Sequence, residues 1–160
     1  MRLFHVSEEA NIKTFKPRAV SNPNAGAKGK LVWSINEREL DNYLLPRECP
    51  RICYRLIDDK KVIAVEERWL EAINKTTLYV YELPSESFEE FNKVAGYWIS
   101  KTEVTPLLVK EVKNISEELE RRGQSLTVLK DLYDLRDKVV NEYDHFSIIR
   151  FSNATATKML

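Results

Sequence analysis

The chain has 160 residues, a length typical of one domain and sufficient to bury a hydrophobic core without a metal ion or disulfides. Its 25 basic and 25 acidic residues balance. We therefore expect no strong general affinity for nucleic acid, although a balanced total is compatible with a basic patch on one face. No apolar run reaches the roughly 20 residues needed to cross a bilayer, and the first residues lack the pattern of a signal peptide. These features predict a folded, cytoplasmic protein with no membrane partner.

The N-terminal part begins with a strand at residues 2–7. Residues 21–30 contain two glycines and Pro23, a composition that predicts a mobile flap beside a ligand pocket. A strand at 31–35 follows. Asn36 then suits the N-cap of a helix that ends before Pro46.

The rest of the chain alternates short strands with helices. Apolar periodicity predicts strands at 51–56, 61–65, 77–83, 97–100, 107–112, 126–129 and 146–151, and helices at 66–74, 114–122 and 131–143, with helical turns within 85–92. The order is not a regular βαβ repeat. It favours an α+β fold with a largely antiparallel, bent or split sheet flanked by helices. We expect a single globular domain at 1–152 and a frayed tail at 153–160.

Two positions near the N-terminus are candidates for ligand contact. Strand alternation places Leu3, His5 and Ser7 on one face, and a histidine there is either a structural residue or a functional one. Trp33 lies beside Ser34 in the predicted strand at 31–35, where its ring is either core or a stacking surface for a planar ligand.

Residues 46–51 concentrate charge and sulfur in a short stretch. Arg47 and Arg51 flank a turn and could bind a phosphate, or they could hold that turn through Glu48. Cys49 and Cys53 have the spacing of neither a zinc site nor a redox motif, and we expect free thiols. No metal-binding, P-loop, serine-hydrolase or dinucleotide fingerprint is present.

Six segments together resemble a family of uncharacterised bacterial proteins. They are FHVSEE at 4–9, LVWSI at 31–35, YLLPRECPR at 43–51, TLYVYELP at 77–84, GYWIS at 96–100 and FSIIR at 146–150. The resemblance covers nearly the whole chain. It implies no activity.

A weaker resemblance is to the ADP-ribosyltransferase-like fold, which includes bacterial toxins and RNA 2′-phosphotransferases. The segment His5-Val6-Ser7 resembles the histidine motif of one branch, with Val6 in place of glycine, and Trp33-Ser34 resembles its second motif. In that family a glutamate usually precedes the aromatic residue of a late strand, and here Gly96 or Tyr97 stands at that position. Glu103 follows several residues later.

The resemblance implies that His5 donates to a ribose hydroxyl, that Trp33 stacks on nicotinamide, and that a carboxylate stabilises an oxocarbenium-like transition state. It thus predicts a small nucleotide ligand, with NAD as the candidate cofactor. The candidate catalytic residues are His5 and Glu103. The candidate ligand-binding residues are Ser7, Trp33, Ser34, Tyr97, Arg18, Arg47 and Arg51.

Two other functions stay open at this stage. The chain could be a non-catalytic interaction or ligand-sensing module that has kept the scaffold and lost the chemistry. It could instead act on an RNA end, which would require basic residues clustered near His5. The sequence does not decide whether the protein is an enzyme, nor does it identify the substrate or the oligomeric state.

Overall fold

The structure is a computed structural model that describes residues 1–20 and 28–159. Most of the predicted flap, residues 21–27, lies outside the described residues. The described strands are β1 (Leu3–Ser7), β2 (Arg18–Ala19), β3 (Lys30–Asn36), β4 (Arg51–Arg55), β5 (Lys61–Glu66), β6 (Leu78–Leu83), β7 (Glu89–Asn92), β8 (Tyr97–Ser100), β9 (Leu108–Val112), β10 (Leu126–Leu129) and β11 (Phe146–Ile149). The helices are α1 (Leu70–Lys75), α2 (Ile115–Arg121) and α3 (Tyr133–Glu142), with 3-10 turns at Glu37–Tyr43, Glu67–Trp69 and Phe151–Asn153.

The chain divides into two compact units. Unit 1 comprises Met1–Leu40 and Tyr79–Glu111, and unit 2 comprises Asp41–Leu78 and Val112–Leu160. The prediction of a single globular domain stays a prediction.

Unit 1 is built on a seven-stranded sheet in the order β7-β8-β3-β1-β6-β9, with β2 paired to β3. The predicted strands at 2–7, 31–35, 77–83, 97–100 and 107–112 all belong to this sheet, and the pairings among β1, β3, β6, β7 and β8 are antiparallel. One face is covered by an apolar cluster that includes Leu3, Phe15, Val32 and Tyr81. The alternation of β1 thus directs its odd-numbered residues towards this core.

Unit 2 contains a four-stranded sheet in the order β10-β5-β4-β11. The β4–β5 and β4–β11 pairs are antiparallel, whereas β10 runs parallel to β5. Helix α3 contributes Leu135 and Val139 to a cluster with Ile52 and Ala64 on one face of this sheet. The α+β class and the largely antiparallel sheets are therefore as the sequence predicts.

Local signals explain several boundaries. Asn36 accepts a hydrogen bond from the backbone N–H of Glu39 at 3.0 Å, as a capping residue does, although the helix it starts is a 3-10 helix. Asn114 caps α2 in the same way through Glu117, and Gly123 ends that helix with a φ of 78°.

The sequence prediction is wrong within 85–92. We expected helical turns there, but Glu89–Asn92 forms β7 and pairs with β8. Phe88 and Phe91 are three residues apart, a spacing that fits one face of a helix as well as it fits an irregular strand. A register shift in β7 hides the two-residue period of the strand.

The C-terminal segment makes contacts within unit 2. The Thr155 N–H donates to Glu66 at 2.9 Å, and the Met159 N–H donates to Asp131 at 2.8 Å. Both hydrogen bonds involve residues of the segment 153–160. That this segment is a frayed tail stays a prediction. Among the described residues, no helix combines the length and the apolar character needed to cross a membrane.

Candidate functional site

His5 is half-buried near the middle of β1, between β3 and β6. Its Nδ1 lies 2.9 Å from the backbone oxygen of Trp33, and its ring is 4.7 Å from the ring of Phe15. A carbonyl oxygen only accepts, so Nδ1 must carry the proton in this hydrogen bond. Nδ1 is thus engaged by the protein's own backbone.

Ser7 and Ser34 are tied to the backbone around them. Ser7 accepts a hydrogen bond from the Glu9 N–H at 3.0 Å, which forms the turn after β1. Ser34 is buried, and its hydroxyl donates to the Trp98 carbonyl at 3.1 Å. Ser34 thus stabilises the β3–β8 pairing, whereas Ser7 lies half-buried at the end of its strand.

Trp33 and Tyr97 form part of an aromatic cluster. Their ring centroids are 5.4 Å apart in an edge-on arrangement, and Phe91 lies 5.3 Å from Trp33 in a similar one. Gly96 precedes Tyr97 with a φ of 77°, and a Cβ there would lie 2.7 Å from Asn36 Oδ1. Both the positive φ and the lack of space require glycine at residue 96, which directly precedes Tyr97 in the sequence.

The structure does not bring the side chains of His5 and Trp33 together. Leu3 pairs with Asn36 and Phe4 with Ile35, and directly paired residues of an antiparallel ladder share a face. His5 therefore lies on the Leu3 face, and Trp33 lies on the Phe4 face. A single small ligand on the His5 side cannot also stack on Trp33.

Arg51 is fully buried and bonded to the backbone of its own loop. Its guanidinium donates to the carbonyls of Asn42 at 3.0 Å, Pro46 at 2.7 Å and Cys49 at 2.8 Å. A further hydrogen bond reaches the carbonyl of the exposed Arg47 at 3.3 Å. This geometry fits the alternative that Arg51 holds the turn at residues 46–51 in place. The hydrogen bonds go to main-chain carbonyls, however, and not to Glu48.

Cys49 and Cys53 are buried free thiols. Burial raises the pKa of the Cys49 thiol to about 11, and it outweighs the opposing effect of the nearby Arg51 charge. A thiol with this pKa is neutral at physiological pH. Cys49 therefore lacks the thiolate character of a nucleophile.

Arg18 and Glu103 are both exposed in unit 1. Arg18 is in β2, with Leu31 as its Cα partner, and the next pair joins Ala19 to Lys30. Because β1 and β3 are antiparallel, Ser7 and Lys30 lie at the same end of the sheet. Glu103 directly precedes Val104, whose backbone is hydrogen-bonded to that of Phe15.

Sequence reasoning missed three lysines of this hairpin. We define the cationic hairpin as Lys16, Arg18, Lys28 and Lys30. All four side chains are exposed, and no hydrogen bond or ion pair engages them among the residues described. The signal that could have revealed them is the charge of residues 10–36, which include five cations and no acid.

Lys13 and Lys101 of unit 1 are exposed like the hairpin cations, whereas other cations of this unit have acidic neighbours. Arg2 binds Glu37 and Glu82, each at 2.8 Å, and Arg38 lies beside Glu39. Lys93 has no partner among the described residues, but Glu90 is three positions away. The cationic hairpin is thus distinguished by the clustering of its charges and by the absence of acids from residues 10–36.

Unit 2 has a shallow, open groove along α1, lined by Arg68, Trp69, Glu71, Ala72 and Lys75. None of these is a predicted site residue. Across the described part of the chain, no group of three or more His, Cys, Asp or Glu side chains is arranged to hold a metal ion.

Comparison with known proteins gives a family but no activity. Residues 4–154 match the model of DUF6886, a family of unknown function. No curated protein and no solved structure matches the chain.

Proposed function

We propose that this chain, which belongs to the DUF6886 family of unknown function, binds a nucleotide at the end of the unit 1 sheet where Ser7 and the cationic hairpin lie. NAD is the first ligand to test. The proposal is carried by the cationic hairpin, whose four exposed cations have no partner among the described residues. Phosphate groups are the common biological anions that such a cluster binds through charge-assisted hydrogen bonds.

His5 supports a nucleotide in preference to an inorganic anion. Its Nδ1–H is used by the Trp33 carbonyl, so a ligand would meet the ring from the Nε2 side. A ribose hydroxyl can both donate and accept, so it suits an imidazole nitrogen in either protonation state. His5 faces the sugar in the proposed complex, while Lys30, which the register places on the His5 face, interacts with phosphate. Arg18 pairs with Leu31 and lies on the other face, so it reaches the phosphate only around the edge of β2.

The ADP-ribosyltransferase-like reading extends this proposal to catalysis. Glu103 is an exposed carboxylate in unit 1, and it would have to stabilise positive charge on the ribose as the nicotinamide bond breaks. Trp33 stacking would require a second surface, because Trp33 lies on the opposite face from His5. We therefore propose nucleotide binding on the His5 face and test cleavage of NAD by a separate experiment.

Calorimetry with NAD, ADP and AMP tests the binding. We expect wild-type protein to bind at least one of them below millimolar concentration. His5→Ala and the double variant Arg18→Gln, Lys30→Gln should each weaken binding about tenfold, which corresponds to about 1.4 kcal/mol. Lys93→Gln is the matched control in the same unit and should bind as wild type does.

Thermal melting of each variant separates lost binding from lost folding. No binding of any of these nucleotides at millimolar concentration would refute the proposal. Release of nicotinamide from NAD, abolished by Glu103→Gln while binding remains, would extend the proposal to catalysis.

One observation favours the interaction module as the second candidate. Strand β9 is an edge of the unit 1 sheet, and Leu107, Leu108 and Val109 at its start are each more than half exposed. An exposed apolar edge strand can pair with a strand of another molecule. A concentration-dependent rise in mass, abolished by Val109→Lys, together with no nucleotide binding, would favour this function.

A further inference from the structure

We infer that the ligand of the cationic hairpin is a single nucleic-acid strand and not a free mononucleotide or dinucleotide, an inference that rests on the proposed nucleotide binding. Its first support is the distribution of charge. Residues 10–36 include five cations and no acid, so the rest of this neutral chain carries five more acids than cations. A neutral protein with one strongly positive segment can attract a polyanion locally.

The second support is the extent of the hairpin. Lys16 and Arg18 are two residues apart on either side of Pro17, a residue that favours extended backbone before it. Two residues of extended backbone span about 6–7 Å. Lys30 lies on the neighbouring strand, paired with Ala19 at about 5 Å, and therefore on the opposite face from Arg18, with Lys28 before it. A ligand that meets all four cations must follow the edge of β2 from one face to the other. The charges therefore cover a longer path than a diphosphate, in which one oxygen joins both phosphorus atoms.

The third support is that binding breaks no ion pair within the part of the chain that the structure describes. The four side chains are exposed and have no partner among the described residues, so a phosphate displaces only water and small ions. Neutralising the phosphates of a strand releases their counterions, which makes binding favourable and dependent on salt.

Carboxylates near this end of the sheet set a limit on the ligand. Glu8 and Glu9 follow β1, and Glu103 lies in the neighbouring segment. Their charges oppose a deeply enclosed phosphate close to Ser7 and favour a strand that lies along the exposed hairpin. The proposed strand thus meets the cations of the hairpin with its phosphate backbone.

Fluorescence anisotropy with labelled 12-nucleotide RNA and DNA strands of one base tests this inference. We expect binding that weakens as KCl rises, with a slope of log K against log salt of about −2.8 for four contacted phosphates, at about −0.7 for each. The variant with Lys16, Arg18, Lys28 and Lys30 all changed to Gln should lose at least tenfold in affinity and most of that slope.

A matched variant controls for total charge. It changes Lys60, Lys93, Lys113 and Lys138 to Gln, which are four exposed lysines outside the hairpin. It should bind the strands as wild type does. Equal losses in both variants would overturn the inference, because they would show that only net charge matters.

Two further binding experiments distinguish a nucleic-acid strand from other phosphate-bearing ligands. Calorimetric binding of NAD or AMP, combined with strand binding that is no tighter, would overturn the inference and leave the proposed function standing. Vesicles of phosphatidylcholine and phosphatidylserine at 3:1 that bind as tightly as the strands would assign the hairpin to anionic lipid and overturn it. Absence of binding to every nucleotide and strand would remove both proposals.

Discussion

In unit 2, Arg51 is buried and its donors are bonded to main-chain carbonyls of the loop before β4, whereas the four cations of the hairpin in unit 1 are exposed and have no partner among the described residues. Arg68 adds to the first pattern, because its Nε donates to the buried Glu66 at 3.0 Å. The two regions thus use the same kind of charge differently. One region stabilises its own backbone and core carboxylate, and the other leaves its charge available to a ligand.

This difference shows how a basic residue should be assigned a role. In the sequence, Arg51 and Arg18 are equal candidates for phosphate contact. Burial separates them, since a guanidinium satisfied by carbonyls gains little from exchanging those bonds for a phosphate. Arg18 has no such bonds to lose.

The largest effect should follow the loss of Arg51. Arg51→Met removes the donors to the carbonyls of Asn42, Pro46 and Cys49, and each unsatisfied buried carbonyl costs about 1–3 kcal/mol. Relief from burying the charge offsets part of this cost. We expect a loss of about 3 kcal/mol in the free energy of unfolding, measured by urea denaturation.

Arg18→Met is the control for that substitution. It changes the same side chain at an exposed site, so its effect should stay within about 0.5 kcal/mol. A similar stability for the Arg51 and Arg18 variants would contradict the structural role of Arg51.

A smaller effect is expected at Arg68. Arg68→Met leaves the fully buried Glu66 carboxylate with the Thr155 N–H as its remaining hydrogen-bond donor among the described residues, and we expect a loss of about 2 kcal/mol. The double variant with Glu66→Gln should recover part of this loss, because the amide carries no charge to leave unpaired. Urea denaturation in a double-mutant cycle measures the coupling, and additive effects would show that the pair is not coupled.

Strand composition was enough to predict most of the sheet in unit 1, and capping signals located Asn36 and Asn114. Composition could not show that His5 and Trp33 lie on opposite faces. Each strand alternates, but which residues of two strands share a face depends on their register, and the Phe4–Ile35 pair that fixes it is a tertiary contact.

The candidate site was predictable to a similar extent. Counting charge along the chain is enough to find residues 10–36, and the charge of Arg18 was recognised. The partners of a cation are set by folding, however. Nothing near Arg51 in the sequence predicts that its guanidinium would be bonded to carbonyls of residues 42–49.

The pH dependence of stability caused by Cys49 measures how well the loop around Arg51 excludes water. The Cys49 pKa of about 11 lies above the reference value of 9.0, so the unfolded thiol ionises first as pH rises. The folded protein then holds a proton that the unfolded chain has released, and stability falls between about pH 9 and pH 11. Two units of pKa correspond to about 2–3 kcal/mol.

The corresponding control is Cys49→Ala, which has no thiol to titrate. Between pH 8 and pH 11, wild-type protein should lose about 2 kcal/mol more than this variant does in urea denaturation, since tyrosines and lysines titrate equally in both. Equal pH dependence in the two proteins would show that the loop admits water to Cys49.

The smallest effect on stability is expected in the cationic hairpin. Changing Lys16, Arg18, Lys28 and Lys30 to Gln removes four charges that make no hydrogen bond or ion pair among the described residues, so the free energy of unfolding should change by less than about 0.5 kcal/mol per site. Relief of repulsion between like charges favours a small gain, which should be larger at 20 mM than at 300 mM KCl because salt screens the repulsion. Urea denaturation at both salt concentrations measures it. A loss of 2 kcal/mol or more would mean that these side chains hold unit 1 together as Arg51 holds its loop, and the contrast between the two regions would disappear. Unchanged or increased stability, combined with weaker binding of a phosphate-bearing ligand, is the outcome expected of residues that contribute to binding and not to the fold.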